Sequence, residues 1–150
     1  MTKLTAGQCE LCDSAGGDVL WQDDCCRVIA VAASDFPGFC RVILHSHVAE
    51  MTDLLPAMRD RLLKAVFATE SALRELMSPH KINLACLGNM VPHLHWHVIP
   101  RFRDDSHFPD PVWAAARRVT MPRSRWLRTR SSVCASCFCC TGESPWEVST

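Results

Sequence analysis

Three histidines stand at alternate positions in Pro92-His93-Leu94-His95-Trp96-His97-Val98-Ile99-Pro100, with apolar side chains between them. A period of two belongs to a β-strand, where it sets imidazoles on one face and hydrophobes on the other. Same-face neighbours on a strand lie about 6.5–7 Å apart, so the rings form a row; on a helix this spacing would scatter them. At an ordinary pKa near 6.5 about three-quarters of each imidazole is neutral at pH 7, and mutual closeness disfavours charging all three. A neutral imidazole can ligate a metal, accept a proton or attack an electrophile. Two chemistries are therefore open: a His-x-His pair giving ligands to a hydrolytic zinc, or one nucleophilic histidine whose neighbours hold phosphate oxyanions.

A second reactive group is Cys9-Glu10-Leu11-Cys12. The residues before it carry no apolar signal-peptide core, so the chain is expected to be cytoplasmic. In a reducing compartment its ten cysteines are free thiols or metal ligands rather than disulfides. The longest apolar runs, such as Val28 to Ala33, are far too short to cross a bilayer. Formal charge is zero, which gives no general argument for a nucleic-acid or anionic-membrane partner.

These residues need a scaffold. Val19 to Gln22, Cys26 to Ala33, Phe39 to Leu44, Ile82 to Leu87 and His93 to Ile99 read as strands, and Ser34-Asp35-Phe36-Pro37-Gly38 as a break. From Pro56 to Met77 the chain has no internal Gly or Pro. Met58, Leu62, Val66 or Phe67, Leu73 and Leu76 keep helical spacing there, with Thr52 or Asp53 as a cap and Ser78-Pro79 as the stop. The short link Gly88 to Pro92 predicts an antiparallel hairpin of the last two strands. The expected fold is α+β, a meandering five-stranded antiparallel sheet with one long helix across a face. Residues 1–118 form the expected domain. Residues 119–150, with four arginines and the cluster Cys134 to Cys140, lack any period and are expected to be a disordered or poorly packed tail.

His93-Leu94-His95-Trp96-His97-Val98-Ile99 resembles the His-φ-His-φ-His-φ-φ signature of the histidine-triad (HIT) nucleotide hydrolases and transferases. Leu87-Gly88-Asn89-Met90-Val91-Pro92, Pro100-Arg101-Phe102, Pro37-Gly38 and His47-Val48-Ala49-Glu50-Met51-Thr52-Asp53-Leu54 are similar to a bacterial branch of that family, over about Cys9 to Trp113. The resemblance implies attack of His95 on the α-phosphorus of a nucleoside phosphate, cleaving a P–N or P–O bond through a nucleotidyl-imidazole. It gives His97 to the phosphate oxygens and a main-chain carbonyl to His95 Nδ1–H, leaving Nε2 to attack. It also implies a structural zinc on Cys9, Cys12, His47 and His93, no organic cofactor, and a homodimer. Asn89 and Arg101 are the further expected substrate contacts.

The family pattern is not followed throughout. Phe39 stands where many members carry a histidine that supports the nucleophile, and the loop before the triad is short. Two other readings stay open: a zinc-dependent hydrolase with the triad as catalytic ligands, and a nucleotide-binding regulatory module with little catalysis. Trp96 is expected in the core, His45 and His80 at the surface, and Cys25, Cys26, Cys40 and Cys86 as buried or partly buried thiols.

Overall fold

The computed structural model describes residues 9–32 and 35–119. One turn of helix, α1 (Glu10–Asp13), precedes β1 (Asp18–Gln22), β2 (Cys26–Ala30) and β3 (Cys40–Leu44). A 3-10 turn at Met51–Asp53 leads into α2 (Pro56–Met77), followed by β4 (Lys81–Cys86) and β5 (His95–Arg101). The strands form one sheet in the order β1-β2-β3-β5-β4, with every neighbouring pair antiparallel. The fold is the expected α+β arrangement. Its strands do not follow one another in simple succession, because α2 carries the chain from β3 to the far edge and β5 returns between β3 and β4.

The helix has the expected bounds, with a different start. Leu55 is its N-cap, without a side-chain cap, and Pro56 opens the first turn. Proline has no N–H to satisfy, so Thr52 and Asp53 are not needed as caps; Asp53 belongs to the preceding 3-10 turn. Ser78 closes the helix in the left-handed conformation, its N–H donating to Arg74 O. Leu62, Ala65, Val66, Leu73 and Met77 form the buried stripe, while Phe67 is 55% exposed. The choice between Val66 and Phe67 thus falls to Val66.

The stripe packs on one sheet face, against Val28, Val42, Leu44 and Val98. Trp96 joins this core, as expected. The opposite face carries a smaller cluster of Cys9, Leu11, Ile29 and Ile43. β2 is buried along its whole length because both of its faces are covered. Gly38 turns the chain into β3 at φ +86°, and a Cβ there would lie 2.4 Å from Met77 Sδ. Only glycine suits both the angle and the close approach.

The histidine row is not one uninterrupted strand. β5 starts at His95, and His93 lies in the turn before it, its N–H donating to Val91 O. Pro92 and the bonds of Leu94 N to Val48 O and Leu44 N to Leu94 O replace the regular ladder, which frees His93 to face another partner. Arg117 N and Arg118 Nη1 clip the end of the described chain back onto Ser106 O and Arg103 O. The tail boundary at 118/119 and the Cys134–Cys140 cluster concern residues lying almost wholly outside the described ones.

Candidate functional site

The far face of the sheet gathers Arg27 and Ile29 from β2, Arg41 and Ile43 from β3, and His95 and His97 from β5. The cross-strand pairs Arg27–Ile43, Ile29–Arg41, Ile43–His95 and Arg41–His97 set this order. Strand alternation alone places all six on one side.

At one end sits the cysteine loop. Arg27 pins it through its own side chain, with Nε donating to Ala15 O and Nη2 to Leu11 O and Ser14 O. Cys9 Sγ and Cys12 Sγ each lie 3.4 Å from His93 Nδ1, and Cys12 Sγ lies 3.3 Å from His47 Nδ1. The four ligand atoms fall within 4.8 Å of one another. His93 is wholly buried, and its Nε2 donates to Leu44 O at 2.7 Å. That bond fixes the tautomer and leaves the Nδ1 lone pair facing the sulfurs, the outer bond that a ligating histidine makes. Tetrahedral zinc with ordinary Zn–S and Zn–N lengths separates sulfur from nitrogen by roughly 3.5 Å. The residues therefore fit a metal ion, and the set expected from the sequence is brought together.

At the other end is an open cleft of about 260 Å³. Arg41, His95, His97, Asn89 and Glu10 supply its polar lining, with Leu87 and Val91 among the apolar part. His95 is 6% exposed, and its Nδ1 donates to His93 O at 2.6 Å. The expected main-chain carbonyl is thus His93's own, and Nε2 is the unprotonated nitrogen. The His95 and His97 rings are 4.9 Å apart. Burial is the main cause that pushes both imidazoles below their ordinary pKa. For His97 the push reaches about 4, with His95 and Arg41 adding to it. Both rings are neutral at pH 7.

Phe39, in place of a histidine, lies 5.4 Å from the His97 ring, and the Arg41 guanidinium lies 5.7 Å from the Phe39 ring centre. Two polar atoms here are buried without a hydrogen-bond partner, Arg41 Nε and His97 Nε2.

Arg101 needs correction as a substrate contact. It is 2% exposed, and Nε and Nη2 donate to the Asp105 carboxylate at 2.8 and 3.0 Å. Nη1 donates to Asn83 Oδ1 and Nη2 also to Asp110 O. The fork is already occupied holding the segment after β5. A larger cavity, about 610 Å³, touches Arg101 and Trp113 and includes none of the three triad histidines. His45 Nε2 donates to Asp23 O, and the exposed His80 stacks edge-on to Phe108. Cys25, Cys26 and Cys40 are buried as expected, whereas Cys86 is exposed at the end of β4.

Sequence reasoning missed Arg27 and Arg41. A signal was present: each is the one charged residue in an otherwise apolar strand, Cys26–Ala30 and Cys40–Leu44. A charge on such a strand needs a buried partner.

The HIT domain profile matches residues 14–104. Among solved structures, a histidine triad protein from Marinobacter aquaeolei VT8 is 30% identical, with a TM-score of 0.64 over 81% of this chain and 86% of that one. One from Bradyrhizobium japonicum is 22% identical with a TM-score of 0.72, over 83% and 92%. One from Sinorhizobium meliloti 1021 is 23% identical with a TM-score of 0.68, over 83% and 91%. No significant match is found among curated protein sequences. No helix among the described residues is long and apolar enough to cross a membrane. With a sheet that presents His95 and His97 to a cleft and a profile match spanning the triad, the chain belongs to the histidine-triad (HIT) family.

Proposed function

We propose that the protein is a nucleotidyl hydrolase or transferase that cleaves a P–N or P–O bond at the α-phosphate of a nucleoside phosphate. The observation that carries this reading is the hydrogen bond from His95 Nδ1 to His93 O, which makes Nε2 a lone-pair donor at the cleft. In the first step that lone pair attacks the α-phosphorus, a P–N(imidazole) bond forms, and the bond to the leaving amine or alkoxide breaks. The leaving nitrogen or oxygen takes a proton from solvent or through His97 as its bond to phosphorus breaks. Water or another acceptor then takes the nucleotidyl group from His95, and the proton that acceptor loses returns to solvent or His97. His97, neutral and beside His95, donates its single N–H to a phosphate oxygen. Asn89 reaches the same cleft from the loop before the triad.

Cys9, Cys12, His47 and His93 would hold a structural zinc, which ties the N-terminal loop to the turn carrying His93. With His93 so used, the row does not converge on one catalytic ion: His93 Nε2 is bonded to Leu44 O and His95 Nδ1 to His93 O. The other candidate metal cluster among the described residues, Asp23, Cys25 and Cys26, has its carboxylate taken by two backbone N–H groups and Arg61.

Release of the amine from a nucleoside 5′-phosphoramidate tests the proposal. Wild type should turn over, and His95→Ala should lose about 10⁴-fold or more with an unchanged melting temperature. Turnover by His95→Ala near the wild-type rate sinks the proposal. Nucleotide binding without turnover by wild type would favour a regulatory module instead.

A further inference from the structure

The sheet face that carries the site holds three arginines, Arg27 on β2, Arg41 on β3 and Arg101 at the end of β5. Their surroundings differ. Arg27 spends its donors on three main-chain oxygens of the cysteine loop. Arg101 spends its own on Asp105, Asn83 and Asp110. Arg41 alone among the three has a buried Nε with no acceptor, and no carboxylate among the described residues forms an ion pair with it. A guanidinium cannot shed its charge, and half-buried Arg41 has only the Glu10 carboxylate of the same cleft acting on it, from beyond ion-pair distance, which leaves room for a ligand's anion.

We propose that Arg41 is a phosphate-binding residue of the cleft, held in place by the ring of Phe39. This rests on the reading of the cleft as a nucleotide site. Arg41 stands directly across from His97 on the neighbouring strand, and both line the cleft that His95 lines. Its guanidinium makes a cation–π contact with Phe39, which in turn packs on His97. A cation held over a ring this way keeps N–H groups for an oxyanion. Arg41 and His97 each carry a buried nitrogen without a partner and are paired across two strands beside one cleft, so a phosphate entering it would meet both side chains. Phe39 is then more than the loss of a histidine. It is the platform for a cation that neutral histidines do not provide. The substrate class follows: the group bound there carries an ionised non-bridging oxygen, so neutral phosphate esters and free nucleosides are poor ligands.

The test compares binding of the 5′-monophosphates of adenosine and guanosine with that of the free nucleosides, by calorimetry, for wild type, Arg41→Met, Arg41→Gln and Arg41→Lys. Wild type should prefer a monophosphate over its nucleoside. Arg41→Met and Arg41→Gln should lose that preference by roughly 10- to 100-fold with nucleoside affinity unchanged, and Arg41→Lys should keep part of it. An equal loss for monophosphate and nucleoside would show a structural role and overturn the inference. So would neutral variants that prefer the monophosphate as wild type does; phosphoramidate turnover would then still stand. Absence of any preference in wild type overturns this inference and the nucleotide reading together. If neither neutral variant folds, Arg41→Lys decides, since retention of the full wild-type preference would overturn a guanidinium-specific contact.

Discussion

The two ends of the histidine row are finished in opposite ways. At the His93 end each polar group has a partner: Nε2 meets Leu44 O, Nδ1 meets two sulfurs, and Arg27 is tied to three main-chain oxygens. At the His97 end, Arg41 Nε and His97 Nε2 are buried without a hydrogen-bond partner, in residues that line a cleft. Both ends set a triad imidazole near an arginine, His93 in its turn near Arg27 and His97 across from Arg41. Their partners differ, and the proposed function gives the first a structural role and the second a chemical one. His95 belongs to both, since its Nδ1 leans on the His93 carbonyl while the residue lines the cleft. Closing one end of the row is thus what holds His95, the proposed nucleophile, in one tautomer.

The largest effect that separates the ends should come from removing metal. Chelation should lower the melting temperature by about 10 °C or more, because binding energy of a structural zinc is folding energy. Turnover measured well below the new melting point should continue, and zinc should restore the stability. Immediate loss of turnover without unfolding would place the metal in the reaction instead.

A smaller contrast lies in pH dependence. Burial lowers the His95 pKa and takes that of His97 to about 4. A group with a depressed folded pKa is neutral in the folded protein while the unfolded chain is already protonated. Turnover should therefore have its acid midpoint below 6.5. Folding stability should weaken over the same interval, starting near 6.5, because the unfolded state binds those protons first. A pH–rate profile with its acid midpoint at 6.5 would contradict the neutral, buried pair. The smallest effect is expected from truncation after Arg118, which leaves in place the clips to Ser106 and Arg103. Melting temperature and turnover should match the full chain, and loss of both would move the domain boundary.

Much of this division could be read from the residues. Alternation identified the face that His95 and His97 share, and the Pro56–Met77 helix was bounded by Pro and by Ser-Pro. Cys9, Cys12, His47 and His93 came through family resemblance, since no local pattern brings four residues together from sites so far apart in the chain. Periodicity failed at His93, where Pro92 and irregular bonds to Val48 and Leu44 break the strand. The roles of the arginines were illegible for a related reason. Arg27, Arg41 and Arg101 are alike in sequence, and only the three-dimensional supply of carbonyls and carboxylates decides which is satisfied. Arg101 therefore looked like a phosphate contact and proved to be a buried ion pair with Asp105.

The most direct measurement of the central claim is the mass of the protein quenched in base during turnover of a nucleoside 5′-phosphoramidate. A single nucleotidyl adduct is expected on the peptide containing His95, absent from His95→Ala and retained when metal is removed below the melting point. Turnover by wild type with no adduct, or with the adduct on another residue, would contradict it.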